Sequence, residues 1–326
     1  MTLHPEEMSM VQKLDSDSKQ DYFDVIIVGS GPGGMSAALC ASRAKLSVLI
    51  IDRNLPGGQT ATAYKISNYL GFPTGILGSD LSIKMEEHLN DYGVSYSCET
   101  VEDVSDIEDG LKLVKTDLSK HYKTKGVVLA LGLEPKPLET NFERQFLGRG
   151  ISYYAQSDIE YYRDKDVAVI GGGNCACYAA DYLSQYVNKL YLIHRSDYLK
   201  AVRNLKQKVM TNENISVIWN TVPVDAFGID KLEKIKLSNV TTDQETWLDV
   251  KGVFIYVGRI PPNEILNLNL NLDEKGYIIT DEFMRTNIPG IYAAGDIRSK
   301  QIRQIPTAVS DGMIAAINLD KDLFHN

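Results

Sequence analysis

The apolar positions of this chain fall in short unbroken runs that close on glycine. Asp24-Val25-Ile26-Ile27-Val28 is the first. A run of that length without polar interruption predicts a strand covered on both faces, as in a parallel sheet. It leads into Gly29-Ser30-Gly31-Pro32-Gly33-Gly34, then a helical pattern from Met35, then a second run, Ser47-Val48-Leu49-Ile50-Ile51, that ends at Asp52. Strand, glycine turn, helix, strand and acid in this order predict a dinucleotide-binding unit. Gly29 permits the tight turn, Gly31 lets the backbone approach a pyrophosphate, and Gly34 lets helix and strand pack closely. The helix start offers unpaired N–H groups to the phosphates. Asp52 stands where a carboxylate accepts hydrogen bonds from an adenosine ribose.

The pattern occurs twice. Asp166-Val167-Ala168-Val169-Ile170 runs into Gly171-Gly172-Gly173-Asn174-Cys175-Ala176, and a helical stretch and the run Lys189–Ile193 follow. Ala176 takes the place of the last glycine, and the second strand ends in His194-Arg195 instead of an acid. With Arg195 and Lys200 nearby, this loop would favour a 2′-phosphate over a bare ribose if it binds a nucleotide; the other reading is a Rossmann unit kept for folding alone. Two further runs, Gly126–Leu131 and Gly252–Val257, close on Gly132 and Gly258 and precede Pro135 and Pro137, and Pro261 and Pro262. They predict paired crossings between domains. The expected fold is therefore α/β, with two doubly wound Rossmann-like nucleotide-binding domains, the second inserted into the first. Residues 21–134 and 261–326 form one and residues 135–260 the other, after a flexible tail over residues 1–20. The first domain closes with Gly290–Asp296, placing Asp296 at the end of a buried strand, facing a cofactor's ribityl chain or the next helix's N-terminus.

Composition narrows the function classes. A chain of 326 residues suggests two domains, and 44% hydrophobic with 24% charged residues is the balance of a soluble globular protein. No apolar run is long enough for a transmembrane helix, and residues 1–20 have no signal-peptide core, so a cytoplasmic protein is expected. A net charge of −9 argues against a nucleic-acid binder. The basic stretch Lys200, Arg203, Lys206 and Lys208 is read on a helix, as either a solvated face or a site for a nucleotide phosphate or an acidic protein. The four cysteines, Cys40, Cys98, Cys175 and Cys177, make neither a Cys-x-x-Cys pair nor a zinc quartet, so no metal is expected. Packing is the favoured role for Cys175 and Cys177, whose spacing would strain a disulfide.

Taken together, the Gly29 loop, Pro56-Gly57-Gly58-Gln59, Ile66–Pro73, the Gly171 loop, Gly290–Asp296 and Arg303-Gln304 resemble the thioredoxin reductase branch of the FAD-dependent pyridine nucleotide-disulfide oxidoreductases, over about residues 22–323. The resemblance implies FAD on Gly29, Gly31, Gly34, Asp52, Gln59, Asn68, Asp296, Arg303 and Gln304. It also implies an NADP-like site at Gly171, Gly173, Ala176, Arg195 and Lys200, and a homodimer whose smaller domain rotates. Two departures stand out. Where the family carries its Cys-x-x-Cys dithiol, this chain reads Tyr154-Ala155-Gln156-Ser157, followed by the retained acid Asp158. Neither a phenol nor a hydroxyl can exchange with a disulfide, because the attacking species is a thiolate. Asp158 either keeps the family's proton-transfer role or caps a helix beginning at Ile159. The ring of Tyr154 either lies against the isoalloxazine or fills the space the dithiol left. Where the family reads His-Arg-Arg-x-x-x-Arg, this chain has His194-Arg195-Ser196-Asp197-Tyr198-Leu199-Lys200, a depleted phosphate site. The expected function is an FAD-dependent oxidoreductase without the dithiol, similar to pyridine-nucleotide-independent members of the group. It would pass electrons from NAD(P)H or a protein such as ferredoxin to a non-dithiol acceptor, a second flavin among the candidates. The alternatives are a thioredoxin-reductase-like ferredoxin–NADP reductase and a non-catalytic flavin-binding sensor.

Overall fold

The computed structural model describes residues 21–325 apart from 64 and 263–266, and apart from the side chains of 156 and 157. The expected tail over residues 1–20 lies outside the described residues. The chain divides into two compact units: the described parts of Met1–Leu133 and Pro261–Asn326, and Glu134–Ile260 between them.

The first unit begins with β1 (Tyr22–Val28), α1 (Pro32–Arg43) and β2 (Val48–Asp52), and continues through α2 (Gly78–Asn90), β3 (Ser95–Cys98), β4 (Val101–Asp106), β5 (Lys112–Thr116) and β6 (His121–Leu129). The runs Val25–Val28 and Val127–Leu129 are almost wholly buried, because both faces of the parallel sheet are covered. β1 lies between β2 and β6, with Val25 opposite Val48 on one side and Gly126 on the other, all parallel. β3 extends the sheet beyond β2, while β4 and β5 add an antiparallel ribbon along β6. The helix of the first glycine loop starts at Pro32, three residues before the expected Met35, since proline's fixed φ suits a first helical turn. Small residues, Ala37, Ala38 and Ala41, form its buried face.

The second unit holds β7 (Glu134–Pro135), α3 (Asn141–Phe146), β8 (Ile151–Ser152), α4 (Ala155–Tyr162), β9 (Asp166–Gly171), α5 (Asn174–Leu183), β10 (Lys189–Ile193), α6 (Arg203–Thr211), β11 (Ile215–Ile218), β12 (Thr221–Phe227), β13 (Lys234–Asn239), β14 (Glu245–Asp249), β15 (Gly252–Tyr256) and β16 (Arg259–Ile260). Its parallel sheet runs β11-β10-β9-β15-β8, and β12-β13-β14 form a separate antiparallel sheet. The apolar side of that sheet, Ile235, Leu237 and Leu248, shares a core with Ile170, Ile193 and Ile255 of the parallel one. β7 and β16 pair as a short antiparallel ribbon. The first unit then resumes with β17 (Ile291–Ala293), parallel to β6, and closes with α7 (Ile305–Phe324).

Candidate functional site

In the first unit the glycine loop sits at the carboxyl end of β1, where open α/β sheets bind ligands. Gly29 has a φ of 108°, a region closed to most side chains, and a Cβ there would stand 2.3 Å from the Ala130 carbonyl oxygen. A Cβ on Gly34 would stand 1.9 Å from the Gly29 oxygen, so the helix can enter the sheet only with glycine at that point. Gly31 differs. Its backbone is extended, and a Cβ would meet no atom within 4 Å. The space above Gly31 is therefore open, and no side chain caps the helix start there.

The other expected FAD contacts gather around this loop. A Cβ on Gly58 would lie 3.2 Å from Gly31 Cα, and the Gly57 N–H donates to the Ser30 oxygen at 3.0 Å, which brings the Gly57–Gln59 turn alongside. The Gln59 amide donates to the Leu133 oxygen. Asn68 donates to the Gln304 side chain at 2.7 Å, and Arg303 donates to the Asp296 backbone oxygen at 3.1 Å while lying over the Tyr277 ring. Asp52 ends β2, but its carboxylate is already engaged: Ser30 donates to it through N–H and hydroxyl, both at 2.7 Å, and Asn54 N–H at 2.9 Å. Ser30, fully buried, is a residue that the motif reading passed over.

Asp296 does not end a strand. β17 stops at Ala293, and Asp296 lies in the short turn Gly295–Ile297 beyond it. A Cβ on Gly33 would lie 3.5 Å from Gly295 Cα, so this turn packs on the glycine-loop helix. Burial pushes the Asp296 carboxyl above its ordinary value, against the opposing pull of Lys300 and Arg303. Its Oδ1 is buried without a hydrogen-bond partner among the described residues, the Lys300 ammonium standing 3.7 Å away. Lys300 instead donates to Asp311 at 2.8 Å, where Arg298 also pairs at 2.9 Å and the Gly295 N–H arrives at 3.1 Å. This buried Asp311–Arg298–Lys300 group escaped the sequence reading. Its signal was an aspartate on the apolar face of α7. An open cradle at Gly31 beside an unpartnered buried carboxylate oxygen fits a dinucleotide that brings its own hydroxyl donors.

The second glycine loop sits at the end of β9. Gly171, with φ of 147°, leaves no room for a Cβ against the Tyr256 oxygen at 2.4 Å, whereas Gly173 is open. Ala176 is fully buried in α5, its Cβ 2.8 Å from where a Cβ on Gly171 would stand, so it packs the helix against the loop. The Lys200 N–H donates to the Gly172 oxygen at 2.7 Å, bringing the 194–200 turn against the loop with the Arg195 and Lys200 side chains exposed. Lys200 precedes α6, so the expected basic helix covers only Arg203, Lys206 and Lys208. His194 is buried against Gly172, its Nε2 unpartnered among the described residues, and burial holds its pKa below the ordinary value.

At the remaining site, α4 begins at Ala155, with Tyr154 as its cap residue. Asp158 lies within the first turn and caps no helix at Ile159, because the helix is already under way. Tyr154 is about half exposed, at 48%. The Ser157 side chain lies outside the described residues. Next to Tyr154, the Tyr153 hydroxyl donates to buried Glu143 at 2.5 Å. All four cysteines are free; Cys175 is exposed, and Cys177 is fully buried, with burial pushing its thiol up to about 11. Among the described residues no group of side chains is placed to hold a metal ion, and no helix is long and apolar enough to cross a membrane.

Two Rossmann-like units, each with a glycine loop between a buried parallel strand and a helix, define an α/β dinucleotide-dependent oxidoreductase. Residues 23–312 match the family described as pyridine nucleotide-disulphide oxidoreductase, and the chain belongs to it. Thioredoxin reductase of Listeria innocua is 41% identical over 93% of this chain and 95% of its own length. A 34.2 kDa protein in a rubredoxin operon of Clostridium pasteurianum is 39% identical over 93% and 98%. The crystal structure of Lactococcus lactis thioredoxin reductase, in its FR conformation, covers 93% of this chain and all of its own, with 38% identity and a TM-score of 0.88. The chain is an FAD-dependent oxidoreductase of thioredoxin-reductase-like type, and its cofactor is FAD.

Proposed function

We propose that this protein passes electrons from a reduced donor to an acceptor other than a protein disulfide, because it has no dithiol relay. The observation that carries this reading is the state of its cysteines. None lies in α4 or at its cap, where Tyr154, Ser157 and Asp158 stand. The one close pair elsewhere joins an exposed Cys175 to a Cys177 whose buried thiol, pushed up to about 11, holds almost no thiolate at neutral pH. A relay needs two exchangeable sulfurs.

In this reading FAD is held by Gly29, Gly31 and Gly34 at its pyrophosphate, by Asp52 at its ribose, and by Gln59, Asn68, Asp296, Arg303 and Gln304 along the remainder. When bound, it supplies the redox chemistry, and the chain's own residues orient it and control access. With FAD bound, the unpartnered Asp296 Oδ1 would accept from a cofactor hydroxyl, and Asp52 would take a further donor beside Ser30. The second glycine loop, with Gly171, Gly173, Arg195 and Lys200, is the place for NADPH. Ser196 lacks the guanidinium fork that grips a phosphate at two points, so binding there is weakened. Donor and acceptor are therefore separate questions, the donor being NAD(P)H or a protein such as ferredoxin. The protein works as a cytoplasmic homodimer.

Anaerobic titration with NADPH, NADH and reduced ferredoxin, followed by flavin absorbance, identifies the donor. Assays with thioredoxin and with a small aromatic disulfide test the acceptor. Bleaching of the flavin by one of the donors, with no disulfide reduction above the flavin background, is expected. Thioredoxin reduction that disappears in a Cys175→Ser/Cys177→Ser variant would make that pair a relocated relay and end the proposal.

A further inference from the structure

The charged side chains around the turn that follows β17 are unevenly paired. Asp311, on the buried face of α7, takes two cations: Arg298 at 2.9 Å on Oδ1 and Lys300 at 2.8 Å on Oδ2, where the Gly295 N–H also arrives at 3.1 Å. One cation would be enough to neutralise it. Asp296 stands 3.7 Å from the same ammonium, and its Oδ1 is left buried without a hydrogen-bond partner among the described residues. A buried polar atom left unpaired costs stability, so its presence beside the Gly31 cradle needs a physical reason. The Lys300 ammonium lies within reach of either carboxylate, and it is bonded to Asp311.

Packing fixes where these groups stand. α7 lies backbone to backbone on α1: a Cβ on Gly312 would stand 2.0 Å from the Gly33 oxygen, and the Ser36 hydroxyl donates to the Val309 oxygen at 2.7 Å. Asp311 is therefore registered on the helix of the first glycine loop. Through the Gly295 N–H it also holds the turn that carries Asp296. Arg298 is tied a second time, its Nε donating to the Thr280 hydroxyl at 2.8 Å. The further hydrogen bond of the Lys300 ammonium is a long one, 3.4 Å to the Thr307 hydroxyl. Of the two cations, Lys300 is the less constrained.

We infer that Asp311 is a positioning residue for the flavin: by drawing Lys300 onto itself and anchoring the Gly295 turn to α7, it keeps the Asp296 Oδ1 open for a hydroxyl of the cofactor. This rests on the reading that puts Asp296 at FAD, and adds what prepares that carboxylate. Without the charge on Asp311, the Lys300 ammonium closes on Asp296 and occupies the oxygen meant for the cofactor. Opposite charges this well shielded from water attract strongly, the Lys300 and Asp311 side chains being 12% and 10% exposed. A cluster that served the fold alone would give Lys300 no such hold over the cofactor.

Release of FAD from the flavin-loaded full chain, followed by flavin fluorescence after dilution, is the measurement. Asp311→Asn should speed release at pH 7 about tenfold, the loss of one hydrogen bond to a charged group. Adding Lys300→Met to that variant should bring the rate back to within about threefold of wild type, because the competing ammonium is gone. Release should also quicken as pH falls and Asp296 takes up a proton. In Asp311→Asn that acid limb should lie at lower pH, since Lys300 and Arg303 then face Asp296 without the opposing charge of Asp311. α1, which packs on the same turn, has no charged residue between Gly33 and Ala37. If Asp311→Asn does not fold, Lys300→Arg decides: its longer fork reaches both carboxylates with Asp311 in place, and release should quicken at least about threefold. A wild-type rate in the variant that decides would overturn the inference. So would a double variant as fast as Asp311→Asn, or an acid limb that stays in place, either of which leaves Asp311 a purely structural group. A wild-type rate in Asp296→Asn is a separate failure: it removes Asp296 from the flavin site, and the role of Asp311 with it.

Discussion

Asp296 and Glu99 are two carboxylates that their surroundings shift in opposite directions. Asp296 is held above its ordinary pKa, chiefly by burial. The sign follows directly: for an acid raised in the folded state, ionisation costs stability as pH climbs past the unfolded value near 4. Asp296→Asn should therefore raise the melting temperature of the flavin-free protein at pH 7 by about 1–2 °C and leave it unchanged near pH 3.5. The same change should weaken FAD about tenfold or more, since a charge-assisted hydrogen bond is lost. Calorimetry and flavin titration read the two effects separately, and a variant that binds FAD normally would remove Asp296 from the site. Glu99 runs the other way. Burial opposes its charge, but hydrogen bonds from Lys120, Ser97 and Thr116 outweigh that and hold it below the ordinary value. Its stabilisation is present above the unfolded pKa and lost as pH falls through the folded one. Glu99→Gln should cost roughly 1–3 kcal/mol at pH 7 and flatten the acid limb of the stability curve below about pH 4. Denaturant melts across that range test it.

At the scale of elements, the first strand–turn–helix unit separates folding from binding within one motif. Gly34 lies against the Gly29 oxygen, whereas Gly31 faces open space with an extended backbone. Gly34→Ala should destabilise the first unit by more than about 3 kcal/mol, because backbone must move. Gly31→Val should leave the circular dichroism and melting of the flavin-free protein within about 0.5 kcal/mol of wild type, yet yield a colourless protein, because its side chain occupies the space meant for the phosphates. A yellow Gly31→Val protein would place the cofactor elsewhere. Motif spacing already assigned Gly31 to the phosphates and Gly34 to helix–strand packing, and the packing agrees: a Cβ on Gly34 would meet backbone, and one on Gly31 nothing.

Over the whole molecule, the question is where electrons leave. Restoring the dithiol with Tyr154→Cys and Ser157→Cys places two sulfurs at the cap and first turn of α4, where a helix N-terminus lowers a thiol's pKa. The double variant should gain measurable reduction of small disulfides where wild type shows none above the flavin background. Failure to gain any, in a variant whose flavin is still reduced by the same donor, would locate the lost function in domain motion instead of in the two side chains.

What the chain determined alone were the elements made by local pattern. Buried parallel strands, both glycine loops, the helix that follows each, and the acid at Asp52 depend on neighbours in sequence, so periodicity and turn chemistry reveal them. The two antiparallel additions, the β4–β5 ribbon and β12–β14, left no such mark. Their strands, such as Glu245-Thr-Trp-Leu-Asp249, are short and mixed in polarity, and they owe their order to pairing partners. Tertiary structure alone decided the rest: that Asp52 is already held by Ser30, that Asp158 lies inside its helix, and that Lys300 and Arg298 converge on Asp311. Burial and unpaired polar atoms belong to the packed state, and contacts between residues far apart in the chain exist only once it has folded.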